Sequence, residues 1–212
     1  MIKLATLLRE IGDNTAKPYT FRMVELKEYE SKYSFETDSG ITYRVIIAKT
    51  SIDFDWEGDL GNEISYDVSF AVVNFGEKDK ELTKRGVVKM DFETEVNDPK
   101  NLFRVMATVI DITKKEIAKD ETEKKDEETG ETIKQAKKVM AIYITPSKTK
   151  KDPDTGETVY DPSDNRRDRL YRAFIEKNAP LGSNVEEAGK ELVINLPEER
   201  PLKWRRAETP AN

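Results

Sequence analysis

Apolar positions change period several times along the chain, and each change predicts an element. Leu4, Leu7, Leu8 and Ile11 recur at helical spacing with Gly12 at a stop position, which predicts a short amphipathic helix that Pro18 ends. From Tyr19 the period becomes two. Phe21 and Met23, then Tyr33 and Phe35, alternate with polar neighbours. Asp38-Ser39-Gly40 separates Ser34-Phe35-Glu36 from Tyr43-Arg44-Val45-Ile46-Ile47, and glycine accepts the positive φ of a tight hairpin loop, so these runs predict a two-stranded unit with one apolar face. Tyr66, Val68, Phe70 and Val72 extend that face within 64–74. Val88, Met90 and Phe92 mark another strand within 82–96, after a turn at Thr83-Lys84-Arg85-Gly86.

Asp98-Pro99 then offers an N-cap and a proline at the first helical position. Leu102, Val105, Met106, Val109, Ile112 and Ile117 predict a long helix lying across the sheet, with Asp111, Glu116 and Asp120 along its polar side. Val139 to Ile144 reads as a buried strand between two charged excursions, near 119–138 and 148–161, which share Thr-Gly-Glu-Thr and read as ribbons around a glycine. Asp161-Pro162 starts a second helix, with Leu170, Tyr171, Phe174 and Ile175 as its buried stripe and Asn178 and Pro180 at its end. A short turn is expected at Asn184 to Glu187, where the two residues stand in capping-box spacing, followed by a strand at Leu192 to Leu196. The expected fold is α+β: a mainly antiparallel sheet of hairpins covered by one long and one shorter helix, with charged ribbons. Residues 1–196 form the expected single domain, and 197–212 an extended C-terminal arm.

Composition narrows the chemistry. Charged residues make up 37% and apolar residues 36% of 212 positions, so part of the chain is expected as solvated excursion rather than core. Cysteine and histidine are both absent, which removes thiolate chemistry, disulfides, the commonest general base and the commonest zinc ligand. A Ser/His/Asp hydrolase is excluded on the same ground, and no cofactor is expected, since the glycines match neither the dinucleotide nor the P-loop spacing. The net charge of −6 disfavours a general grip on nucleic acid, which stays possible through a local basic patch. No run approaches the roughly 18 apolar residues of a membrane span, and Met1 to Glu10 is too quickly charged for a signal peptide, so no membrane partner is expected.

Three constellations carry possible chemistry. Asp53, Asp55 and Glu57 precede Gly58 in the manner of the first half of a calcium loop. The second half fails, because Ile64 stands where the bidentate glutamate belongs, and a polar strand end with Phe54 and Trp56 turned inward is the preferred reading. Arg166, Arg167, Arg169 and Arg172 crowd one helix and have the forked geometry that suits phosphate or nucleic acid. Asp161, Asp164 and Asp168 lie near enough to neutralise them, so a solvated face is preferred. Lys203, Trp204, Arg205 and Arg206 set an aromatic among cations, a combination suited to docking a partner or to folding back on its own domain.

Phe103-Arg104-Val105-Met106-Ala107-Thr108-Val109-Ile110-Asp111-Ile112, then Ile142-Tyr143-Ile144-Thr145-Pro146-Ser147-Lys148 and Arg169-Leu170-Tyr171-Arg172, resemble a loosely defined group of tailed-bacteriophage proteins. That group pairs a hairpin like Tyr33 to Thr37 and Tyr43 to Val45 with a Thr-Val-Ile-Asp-Ile helix and an Arg-x-x-Leu-Tyr helix. The pattern covers much of 19–177, with the stretch between Gly86 and Asn101 and the two charged excursions as insertions. The resemblance implies a viral origin and no particular mechanism. The expectation is a non-enzymatic virion or assembly component, in the virion or host cytoplasm, whose partners are other phage proteins. The alternative is an intracellular accessory protein that binds or modifies a host factor or nucleic acid, one form of which is a metal-dependent enzyme using Asp53, Asp55 and Glu57.

Overall fold

A computed structural model of the chain describes residues 16–51, 62–73, 90–91, 99–125, 132–134, 136–144, 149–151, 158–160, 166–188 and 191–205. The fold is α+β. The strands of its main sheet are β1 (Phe21–Leu26), β2 (Glu30–Glu36), β3 (Thr42–Ser51), β4 (Glu63–Val73), β5 (Met90–Asp91), β8 (Lys138–Ile144), β11 (Asn184–Ala188) and β12 (Glu191–Asn195). The sheet runs β1-β2-β3-β4-β8-β12-β11, with β5 beside the far end of β4. Two small ribbons stand apart from it: β6 (Lys124–Lys125) with β7 (Thr132–Lys134), and β9 (Thr149–Lys151) with β10 (Thr158–Tyr160). They fall within the two charged excursions, the first of which begins only after the long helix has ended at Asp120.

Alternation decides which face of the sheet is covered. Tyr33 and Phe35 on β2, Tyr43, Val45 and Ile47 on β3, and Ile64, Tyr66, Val68 and Val72 on β4 are buried together with Val139, Ile142, Ile144, Leu192 and Ile194. Against this face packs α1 (Pro99–Asp120) through Val105, Val109, Ile112 and Ile117. Each such side chain contributes roughly 1.5–3 kcal/mol when fully removed from water. Pro99 is the first helical residue, where its missing N–H costs no hydrogen bond. Two buried hydroxyls on α1 bond back to the preceding turn, Thr108 Oγ1 to Arg104 O at 2.6 Å and Thr113 Oγ1 to Val109 O at 2.9 Å, so neither is left without a partner in the core. A second helix, α2 (Arg166–Asn178), joins the same layer: Phe174 stacks on Phe103 of α1 with ring centroids 6.2 Å apart, and Tyr171 lies 5.9 Å from Phe70 of β4.

Three details depart from the pattern reading. β4 and β8 pair in parallel, Glu63 opposite Lys138 through Val68 opposite Ile144, because the connection between them passes through α1 rather than through a hairpin turn. Asn184 to Glu187 is not a turn but strand β11, whose residues face Asn195 through Leu192 of β12. The turn lies just before it, where Ser183 N bonds Pro180 O at 3.1 Å and Gly182 takes φ +84°. Met23, expected on the buried face, is 42% exposed. β1 is the last of the described strands, and the α1 contact to it falls at Phe21, over whose ring Lys115 Nζ sits 4.2 Å from the centroid. The expected amphipathic helix at 4–11, the Asp53 to Glu57 run and the turn at 83–86 lie outside the described residues.

Candidate functional site

The densest concentration of chemistry lies between the inner end of β3 and the last turns of α1. The inward series Tyr43, Val45, Ile47 of β3 continues to Lys49, and the stripe Val105, Val109, Ile112 of α1 continues to Glu116 and Asp120. Strand and helix thus bring a cation and two carboxylates to one buried point, where Lys49 and Asp120 side chains are 8% and 3% exposed. Lys49 Nζ lies 2.6 Å from Asp120 Oδ2 and 3.6 Å from Glu116 Oε2. Tyr66 donates its hydroxyl to Asp120 Oδ2 at 2.6 Å, Ser31 donates to Glu116 Oε2 at 2.9 Å, and Tyr33 donates to Glu116 Oε1. Lys119 Nζ closes the group 3.3 Å from Glu116 Oε1.

Two carboxylates are thus matched by two ammonium groups and three hydroxyl donors, the condition under which buried charge is tolerated. Burial, reinforced by the neighbouring carboxylates, pushes both tyrosine hydroxyls well above the usual phenol range, so they stay protonated as donors. Such an arrangement holds the helix at a fixed depth and rotation on the sheet. Expectation placed Glu116 and Asp120 on the polar side of the helix, and the structure corrects this: they are 1% and 2% exposed. The signal was their place in the three-to-four spacing that follows Ile112, opposite the one lysine in the inward alternation of β3.

A second polar group ties the C-terminal arm to the end of α1. Arg200 Nε donates to Glu121 Oε1 at 2.6 Å, and its terminal nitrogens donate to Val139 O at 2.6 Å and to Pro197 O. Beyond it the arm turns back along the body: Leu181 N donates to Lys203 O at 2.7 Å, Trp204 bridges Pro180, and Arg205 donates to Glu176 O at 2.6 Å. Trp204 closes a cavity of about 30 Å³ walled by Val109, Ile142, Ile175 and Ile194, and Lys114 Nζ sits 4.6 Å from its ring centroid. Partial burial there lowers the Lys114 pKa.

Only some of the remaining predicted residues lie among the described ones. Lys203 and Arg205 are exposed on the arm, and Arg206 lies outside the described residues, as do Asp53, Asp55 and Glu57. Arg166 and Arg167 open α2, and Arg169 is exposed one position before Leu170. Arg172 is engaged by Glu176 at 2.8 Å and, across to β11, by Glu187 at 3.3 Å and Val185 O at 3.4 Å. Among the described residues no group of three or more acidic, histidine or cysteine side chains is placed to hold a metal ion. No described helix is long and apolar enough to cross a membrane.

Among the described strands, the two at the ends of the sheet present different surfaces. β1 exposes Met23 by 42%, Val24 by 37% and Leu26 by 56%, with Arg22 beside them. A bulge between Met23 and Glu25 interrupts its ladder with β2. β11 exposes Asn184, Glu186, Glu187 and Ala188, with Val185 half-buried. Sequence reasoning missed this surface because exposure of an apolar alternation depends on which strand ends the sheet. Comparisons with protein-family models, curated proteins and solved structures returned no match to this chain.

Proposed function

We propose that the protein is a non-enzymatic phage protein, a virion or assembly component that works by binding other proteins. The observation that carries this reading is the β1 edge, where Met23, Val24 and Leu26 present apolar surface on a strand whose outer backbone groups face no described strand. The ionisable groups of the core support it from the other side: Glu116, Asp120, Lys49, Tyr33 and Tyr66 satisfy one another in the interior. The viral assignment rests on the resemblance of 103–112, 142–148 and 169–172 to the tailed-phage group.

Mass spectrometry of purified particles tests the location, with the protein expected at stoichiometric copy number. Its absence from particles, together with presence in infected-cell lysate, would favour the accessory alternative. Affinity capture from infected cells tests the surface. The wild-type chain is expected to retain phage proteins that a Val24→Lys, Leu26→Lys chain loses, while Trp204→Ala, on the folded-back arm, retains them.

A further inference from the structure

We infer that β1 of one copy adds to β11 of a second copy of this chain, head to tail, so that neighbouring copies share one continuous sheet. This names the partner of the surface on which the proposed function rests. The first argument is topological. From β1 to β11 the sheet takes five antiparallel steps and one parallel step, so β1 and β11 run in opposite directions. A second copy continuing the sheet in the same orientation therefore brings its β1 antiparallel to the first copy's β11. That is the more favourable pairing, and it keeps α1 and α2 of both copies on one side.

The second argument is side-chain register. On β1, Met23 shares the helix-covered face with its partner Tyr33, and Arg22 takes the other face beside Ser34. On β11, Val185 shares the helix-covered face with Ile194, and Glu186 takes the other face beside Val193. One antiparallel register sets Met23 opposite Val185 and Arg22 opposite Glu186, satisfying both faces together. Direct cross-strand pairs of these kinds, apolar with apolar and cation with carboxylate, are the stabilising unit of a sheet.

Charge supplies the third argument. On β1 the cation is Arg22, and the strand's carboxylate, Glu25, is already paired with Lys32 at 2.7 Å and Lys27 at 3.2 Å, whereas β11 carries Glu186 and Glu187 and no cation. Unlike edges attract and like edges repel, which selects β1 with β11 over β1 with β1. The bulge at Val24 and the Arg172 contacts to β11 keep the ladder short, so association is weak, reversible and dependent on concentration. Because the contact joins unlike surfaces, it propagates beyond a dimer, closing as a ring or growing as a filament.

Sedimentation velocity across a concentration series, with circular dichroism to verify each fold, tests this. The wild-type chain is expected to grow past dimer, and less so at high salt. Arg22→Glu and Glu186→Arg alone are each expected to weaken association about tenfold, and together to restore it. The chain contains no cysteine, so an Arg22→Cys, Glu186→Cys chain is expected to form disulfide-linked ladders on oxidation, while Arg22→Cys alone stays uncrosslinked. A chain that remains monomeric throughout, or Arg22→Cys alone giving linked dimers, overturns the inference. A monomeric chain that still captures phage proteins through β1 overturns only the identity of the partner.

Discussion

Lys49 Nζ on β3 lies 2.6 Å from Asp120 Oδ2 on α1, both side chains almost wholly withdrawn from water. Seventy-one positions separate the two in the chain, and their pairing fixes the depth at which the helix meets the sheet. Lys49→Met leaves Asp120 and Glu116 short of a cation in the interior. Urea denaturation is expected to show a loss of about 3–5 kcal/mol, the range for breaking one side of a buried pair. Asp120→Asn in the same background is expected to cost less than it does alone, with a coupling of about 1–3 kcal/mol. Strict additivity of the two changes would remove the pair from the account of helix docking.

Tyr66 and Tyr33 set an alkaline limit. Both phenols are raised above their ordinary value, near 10, because burial and the adjacent carboxylates disfavour the phenolate. Above that pH the unfolded chain loses protons that the folded chain retains. The stability these groups contribute is therefore complete below about pH 10 and declines as pH rises beyond it. Absorbance at 295 nm should show two tyrosines titrating only together with unfolding. Tyr66→Phe is expected to cost about 1–3 kcal/mol at neutral pH, where Asp120 loses a donor, and to flatten the decline above pH 10.

Gly40 carries the β2–β3 hairpin at φ +78°, with nothing within 4 Å of the point where a Cβ would stand. Its substitution cost is therefore backbone alone. Gly40→Ala is expected to lower stability by about 1 kcal/mol, and Gly40→Asn by less, since asparagine tolerates the left-handed region better. A thermal melt with equal losses for the two variants would contradict this.

Trp204 and Arg200 anchor the arm at different points. Trp204→Ala is expected to enlarge the cavity beside Ile175 and cost about 2 kcal/mol, short of the 3–5 typical of a fully buried aromatic. Arg200→Ala removes the guanidinium that bonds Glu121 Oε1 and Val139 O, leaving the longer Val139 N–H bond to Glu121 at 3.3 Å, and is expected to cost about 1–3 kcal/mol. In a Trp56→Phe background, Trp204 is the sole tryptophan, and its emission should shift to the red in the Arg200→Ala variant if the arm loosens.

Periodicity made the main elements legible. The alternation through Tyr43, Val45 and Ile47, the three-to-four spacing through Val105, Val109 and Ile112, and the stripe Tyr171, Phe174 and Ile175 identify β3, α1 and α2. Asn184 to Glu187 misled because an Asn followed by Glu three residues on fits both a helix cap and a strand with one apolar residue, Val185. Capping chemistry is local, whereas the ladder to Leu192 through Asn195 is not. The arm was equally open to two readings, and Trp204 packs beside Pro180 because a cavity between α1, α2 and the sheet is there to receive it.

Periodicity alone identifies the inward stripes through Tyr43, Val45 and Ile47 and through Val105, Val109 and Ile112, Gly40 and Pro99 mark local breaks in the chain, and the composition removes histidine and cysteine from any chemistry. That Lys49, Glu116 and Asp120 meet inside, that β4 and β8 run parallel, and that β1 and β11 end the sheet among the described strands follow from the packing of distant segments. The physical reason is range. Side-chain periodicity follows from dihedral angles that each residue sets with its neighbours, whereas burial of a charge or exposure of an edge depends on segments that meet only after the chain has closed over long loops.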